Sequence, residues 1–156
     1  KMSIYKSTYY DIIKLTTLTS IDLIFIYNYK ILVGLRNNNP AKGTYFVPGC
    51  RIGKNELIKD GIIRVAKEEV GLDIDPNNAQ LLGVFDHIYN NNFKDDTFGT
   101  HYIVSAYLIE LNIEPVLLKD NQHRCLNWLT FEELINMESV HQFTKNYLPH
   151  IKVGLQ

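Results

Sequence analysis

Two cysteines in 156 residues, one tryptophan, a formal net charge of −1 and no long apolar run define this sequence first by what it lacks. Cys50 and Cys125 cannot build a disulfide framework, so a reducing interior compartment is expected. The balanced charge gives no global basic field, which argues against nucleic acid as a partner. A local cluster of Arg and Lys still suffices for a small anionic ligand. No stretch is long and apolar enough to span a bilayer, and none at the start resembles a leader segment. No membrane association and a cytoplasmic location are therefore expected. Internal repeats are also missing.

What is present has the size and composition of one globular domain, covering residues 1–156, with 46% hydrophobic and 21% charged residues. Two Asn-rich stretches, "RNNNPAKG" and "YNNNFKDD", mark loops between periodic segments. A short helix is expected over Tyr9 to Leu15. "SIDLIFIY" and "KILVGLR" are rich in β-branched and aromatic residues, and the "NY" between them predicts a hairpin. "TYFVPG" predicts another strand, closed by Pro48 and Gly49. Leu57, Ile58, Ile62, Val65, Ala66 and Val70 recur at helical spacing, and Gly71 ends that helix. "AQLLGVFDHIY" and "HYIVSAYLIELN" predict two long strands. Thr130 followed by Glu133 forms a capping-box signature for a helix through Met137, and a last helix is expected from His141 to His150. Strands mixed with helices imply a sheet covered by helices, an α/β class.

The helix ending at Gly71 carries two unlike sets of charges. Asp60, Arg64 and Glu68 recur every fourth residue, the pattern of a solvated ion-pair row. Glu69 follows Ile62 by seven residues and Val65 by four, so it projects from the apolar face. An unpaired carboxylate there costs several kcal/mol. Either the side chain reaches solvent from the helix end, or a hard cation neutralises it.

The stretch from Cys50 to Leu72 resembles the signature of the Nudix hydrolases, G-x5-E-x7-R-E-U-x-E-E-x-G-U with U apolar. Glu56, Arg64, Ala66, Glu68, Glu69, Gly71 and Leu72 match it. Cys50 stands in place of its glycine, and Val65 in place of a glutamate that binds metal and is often catalytic. The family resemblance implies an α/β/α sandwich in which this loop-helix-loop holds a divalent metal on a diphosphate. The missing glutamate, together with "TSID", "LVGLRNNNPAKGTYFVPG", "GVFDHIYNNNF", "FGTHYIV" and "KDNQHRCLNWLT", resembles the GDP-mannose mannosyl hydrolase branch.

That resemblance implies Mg²⁺, with Mn²⁺ as an alternative ion, held by the Gly49 carbonyl, Glu69 and the Gln122 side chain. It implies His123 as general base, Arg36 and Arg51 as neutralisers of the departing GDP, and Asp22 and His87 as sugar contacts. Asp22 is further placed to stabilise charge developing on the sugar. Tyr9 against guanine, Tyr102 on a phosphate oxygen and Arg64 as a weaker ligand contact complete the set. The same residues have plain alternatives: a paired buried Asp22, structural His87 and Tyr102, an exposed His123. The implied reaction gives GDP and free sugar, from a homodimer. Two alternatives stand beside it: a conventional pyrophosphohydrolase cleaving P–O, and a binding module that has lost catalysis.

Overall fold

A computed structural model describes residues 6–117 and 125–151. Its elements in chain order are α1 (Lys6–Leu15), β1 (Leu18–Tyr27), β2 (Lys30–Leu35), β3 (Tyr45–Phe46), β4 (Gly49–Arg51), α2 (Ile58–Val70), β5 (Gln80–Tyr89), β6 (Thr100–Glu110), β7 (Leu126–Thr130), α3 (Phe131–Asn136) and α4 (Gln142–Lys145). Short 3₁₀ turns occupy Pro76–Asn78 and Leu148–His150. The described strands form one mixed seven-stranded sheet of order β3-β2-β1-β6-β5, with β4 pairing with β1 and β7 with β2. β1 runs parallel to β6, and the other pairs are antiparallel.

β1 is central, and its nearly continuous apolar run is buried on both faces, as an interior strand requires. Side-chain alternation sends Ile21, Leu23 and Phe25 to the face covered by α2, and Ile24 and Ile26 to the opposite core. On the α2 side they meet Ile62, Val65, Ala66 and Val70. On the other side Leu134 of α3, Val140, Tyr147 and Ile151 close the core. Each fully buried aliphatic side chain of this kind stabilises by about 1.5–3 kcal/mol. Two helical layers on a mixed sheet make the α/β/α sandwich that the sequence predicts.

The predicted hairpin is present: Asn28 and Tyr29 both take positive φ, 49° and 61°, as a tight two-residue turn between right-twisted strands demands. Gly71 also takes a positive φ, 78°, and its amide and that of Leu72 bond back to Lys67 and Ala66, closing α2. The Thr130–Glu133 capping box forms reciprocally, and Met137 caps the helix end.

Three expectations need correction. The strand in "TYFVPG" is confined to Tyr45–Phe46, because Pro48 has no amide for a ladder; its carbonyl accepts from Leu23, and Gly49 opens β4. The helix expected from His141 to His150 is split. His141 is its N-cap, α4 ends at Lys145, and Pro149 sits in a separate 3₁₀ turn. The row of Asp60, Arg64 and Glu68 is redrawn, since Arg64 pairs with Glu56 as well as Glu68. No helix of the described residues is long and apolar enough to cross a membrane.

Candidate active site

Register places most candidate side chains on one face of the sheet. Asp22 of β1 lies opposite Gly49 of β4 and Ala106 of β6, and Ser20 lies opposite Arg51. On β5, His87 pairs with Tyr102 of β6. Because paired residues share a face, Asp22, Gly49, Arg51, His87 and Tyr102 all face the α3/α4 side, whereas Cys50 faces α2.

At the centre is a buried polar group. The Tyr147 hydroxyl donates to Asp22 Oδ2 at 2.5 Å and lies 3.2 Å from His87 Nε2. The His87 ring stacks on Phe143 at 4.4 Å, and Phe143 meets Tyr89 and His141. His141 in turn stacks on Phe46, over which the Arg36 guanidinium sits at 5.5 Å. Arg36 Nε donates to the Pro40 carbonyl, and its charge acts on Asp22, Tyr89, Tyr102 and His141.

Gly49 is held against this group. A Cβ there would collide with Asp22 Oδ1 and come within 2.9 Å of the Ile21 carbonyl oxygen, so the position requires glycine. Cys50, at the position of the signature's glycine, causes no such conflict: it is half-buried, with Arg64 Nη1 3.7 Å from its sulfur.

Burial of Asp22 pushes its carboxyl up from 3.8 to about 7, against the Tyr147 hydrogen bond and the Arg36 charge, which pull it down. Burial, aided by the charge of His141, lowers His87 from 6.5 to about 4, so its imidazole is neutral at pH 7. These shifts have opposite signs in stability. The folded chain holds the Asp22 proton that the unfolded chain releases, so that contribution is full below about pH 4 and lost as pH rises through 7. His87 contributes stability above about pH 6.5 that is lost as pH falls through 4. The two slopes oppose between about pH 4 and 6.5. Asp22→Asn removes the opposing slope, leaving those of His87 and of His141, which burial also lowers, so the denaturation midpoint falls more steeply than wild type as pH drops from 6.5 to 4. Parallel pH curves would contradict this assignment.

A second group adjoins the first along β6. The Tyr9 ring of α1 stacks on Phe93 at 5.5 Å, lies 5.2 Å from the Arg51 guanidinium, and its hydroxyl is 3.4 Å from that of Tyr102. Tyr10 anchors α1 to the Asn-rich loop by donating to Asp95 at 2.8 Å. Asn92, fully buried, organises that loop through bonds with Lys94, Asp95 and Phe98. Tyr9 thus already has aromatic and cationic company on the protein itself.

Arg64 is engaged by the protein at each donor nitrogen. It bonds Glu56 at 2.6 and 2.8 Å, Glu68 at 3.2 Å and the Arg51 carbonyl at 2.8 Å. That hydrogen bonding holds the Glu56 carboxyl below its usual range. The arrangement ties α2 to β4, and so to the strand that presents Gly49 and Arg51. Glu69 is half-buried on α2, on the arc of Ile62, Val65, Ala66 and Val70, of which Val65 and Ala66 are wholly buried. Gln122 and His123 lie outside the described residues.

The sequence matches the Nudix domain over residues 17–151. The chain belongs to the Nudix family. A curated relative of this Nudix chain, the "Low-salt glycan biosynthesis protein Agl8" of Haloferax volcanii, is 35% identical over 131 residues, 84% of this chain and 80% of that protein. An ADP-ribose pyrophosphatase of Methanocaldococcus jannaschii is 38% identical over 66 residues, 42% of this chain and 38% of its own length. Among solved structures, a MutT Nudix hydrolase from Burkholderia pseudomallei superposes with a TM-score of 0.72, at 23% identity, over 87% of this chain and 98% of that one. At that identity the likeness concerns the fold.

Nudix hydrolases generally use divalent metal ions, and the donor chemistry fits one. The Gly49 backbone is held in a cradle that a side chain would fill, and Glu69 brings a carboxylate to an otherwise apolar arc. Among the described residues, no three His, Cys, Asp or Glu side chains converge on a metal position. A few hard oxygen donors suit an ion that keeps water and phosphate oxygens as its remaining ligands.

Tyr147, Phe143, His141 and Tyr89 are the site residues that reading the sequence missed. The i, i+4 spacing of Phe143 and Tyr147 was an available signal, since it puts both on one face of a helical turn.

Proposed function

We propose that this Nudix hydrolase converts GDP-mannose, or a related GDP-sugar, to GDP and free sugar, by water attack at the anomeric carbon with inversion. The observation that carries the reading is Val65. It occupies the signature position of a glutamate and is fully buried in the core beneath α2. The chain therefore has no acid one turn before Glu69 to bind metal or activate water at phosphorus. Asp22 and His87 supply a different chemistry: a carboxyl that ionises near pH 7 and a neutral imidazole, both on the Tyr147 hydroxyl, suit a sugar ring that gains positive charge as its C–O bond breaks.

In this reading the sugar lies at Asp22 and His87, and the diphosphate at Arg36, Arg51 and Tyr102. Tyr9 is the candidate contact for the base. His123 takes a proton from water, whose oxygen bonds to the anomeric carbon. The bond pair of the broken C–O bond leaves with GDP, and the two arginines neutralise that charge through their donor forks. Mg²⁺, held by the Gly49 carbonyl, Glu69 and the Gln122 side chain, would supply further charge neutralisation on the diphosphate. Arg64 acts on the protein, holding β4 in place. A homodimer in the cytoplasm belongs to the same proposal. The name of the Haloferax relative places that protein in glycan biosynthesis, which agrees with a sugar-nucleotide substrate.

The likeness to an ADP-ribose pyrophosphatase supports the competing reading, P–O cleavage of a nucleoside diphosphate derivative. Products separate the two. Incubation with GDP-mannose and Mg²⁺, followed by chromatography, is expected to give GDP and mannose. GMP and mannose phosphate would establish the pyrophosphohydrolase instead, and binding without turnover would leave a sugar-nucleotide-binding protein.

A further inference from the structure

Tyr147 is among the largest fully buried side chains, at 1% exposure, yet its hydroxyl is bonded rather than simply packed. A phenol has one proton. With that proton donated to Asp22 Oδ2, the oxygen accepts the Nε2–H of His87, which leaves Nδ1 of that ring as the acceptor. The rings are fixed from other sides as well, His87 by Phe143 at 4.4 Å and Tyr147 by Phe85 at 4.9 Å. Three separate segments, β1, β5 and the turn after α4, thus converge on one hydroxyl. Phenylalanine would fill the same core volume, and a buried hydroxyl is costly unless bonded, so packing alone gives no reason for the oxygen.

We propose that Tyr147 is a positioning residue for the hydrolysis, one that fixes the rotamer of Asp22 and the tautomer of His87 toward the sugar. The proposal rests on the reading that those two side chains face the sugar. Its test is Tyr147→Phe in the wild-type and Asp22→Asn backgrounds, followed by GDP release from GDP-mannose with Mg²⁺, thermal melting and the ¹⁵N spectrum of the His87 ring. In the wild-type background kcat should fall about tenfold or more, the scale of one lost hydrogen bond to a charged group. KM should change little, the melting temperature should fall by a few degrees because Asp22 and His87 lose a buried partner, and Tyr147→Phe should add little to the kcat loss of Asp22→Asn. The ring nitrogens should shift as Nε2 loses its partner. An unchanged kcat, or equal losses in both backgrounds, would overturn the proposal. If the wild type releases GMP or nothing, the reading of the reaction has failed, and the ring spectrum alone decides: a shift sustains the role of Tyr147, and identical spectra overturn it. If Tyr147→Phe does not fold, 3-fluorotyrosine at that position acidifies the hydroxyl while keeping the ring, and an unshifted His87 spectrum is then the contradicting result.

Discussion

Glu69→Gln should lower Mg²⁺-dependent turnover of GDP-mannose by at least about 100-fold, since loss even of a group that only supports a metal ligand costs about 10–100-fold. The substitution keeps the shape of the side chain and removes its charge. Glu69 sits on the arc of α2 whose other members, Ile62, Val65, Ala66 and Val70, are buried. Saturation should require much more Mg²⁺ than in the wild type, because a neutral amide oxygen is a weaker ligand for a hard cation. Steady-state kinetics across a Mg²⁺ titration gives both numbers. Wild-type turnover at wild-type Mg²⁺ would remove Glu69 from the metal site.

His123→Gln should cost about 10²–10⁴-fold in kcat, the usual contribution of a general base. Magnesium affinity should remain, because the ligand assigned beside it is Gln122. The acid limb of the pH–rate profile should lose the share that the His123 imidazole contributes and keep the share set by Asp22, whose carboxyl burial pushes up to about 7. His87 cannot produce that limb near neutrality, since burial keeps its ring deprotonated down to about 4. Unchanged turnover in His123→Gln would require another base.

The fold was largely legible because its signals are local. The helical period of Leu57 to Val70, the "NY" turn and the Thr130–Glu133 box each depend on neighbours within a few residues. Signals failed where a local rule competed with a longer one. Apolar and aromatic residues continue from His141 to His150, yet a histidine cap and Pro149 break that stretch into two turns. "TYFVPG" has strand composition, but Pro48 interrupts the ladder and hands its carbonyl to β1.

The site was legible in part and for a different reason. The loop-helix signature and the separate motifs point to Asp22, Gly49, Arg51 and His87, and pairing in the sheet brings those four onto one face. The sequence offers Arg64 both to an ion-pair row and to a ligand; in the structure its guanidinium bonds Glu56, Glu68 and the Arg51 carbonyl. Tyr147 stayed hidden because it meets Asp22 across 125 residues of chain. In a sequence with ten tyrosines its i, i+4 spacing from Phe143 is a local mark, but that spacing does not point to Asp22. Its hydroxyl has meaning only once β1, β5 and the turn after α4 are assembled.

The claim beneath all of this is that Val65, by excluding an acid from the core beneath α2, turns a phosphorus-directed fold toward attack at carbon. Hydrolysis of GDP-mannose in ¹⁸O-water, with mass spectrometry of both products, tests it most directly. The heavy oxygen is expected in the released sugar, with GDP unlabelled. Label in a phosphate group would show attack at phosphorus and contradict the account.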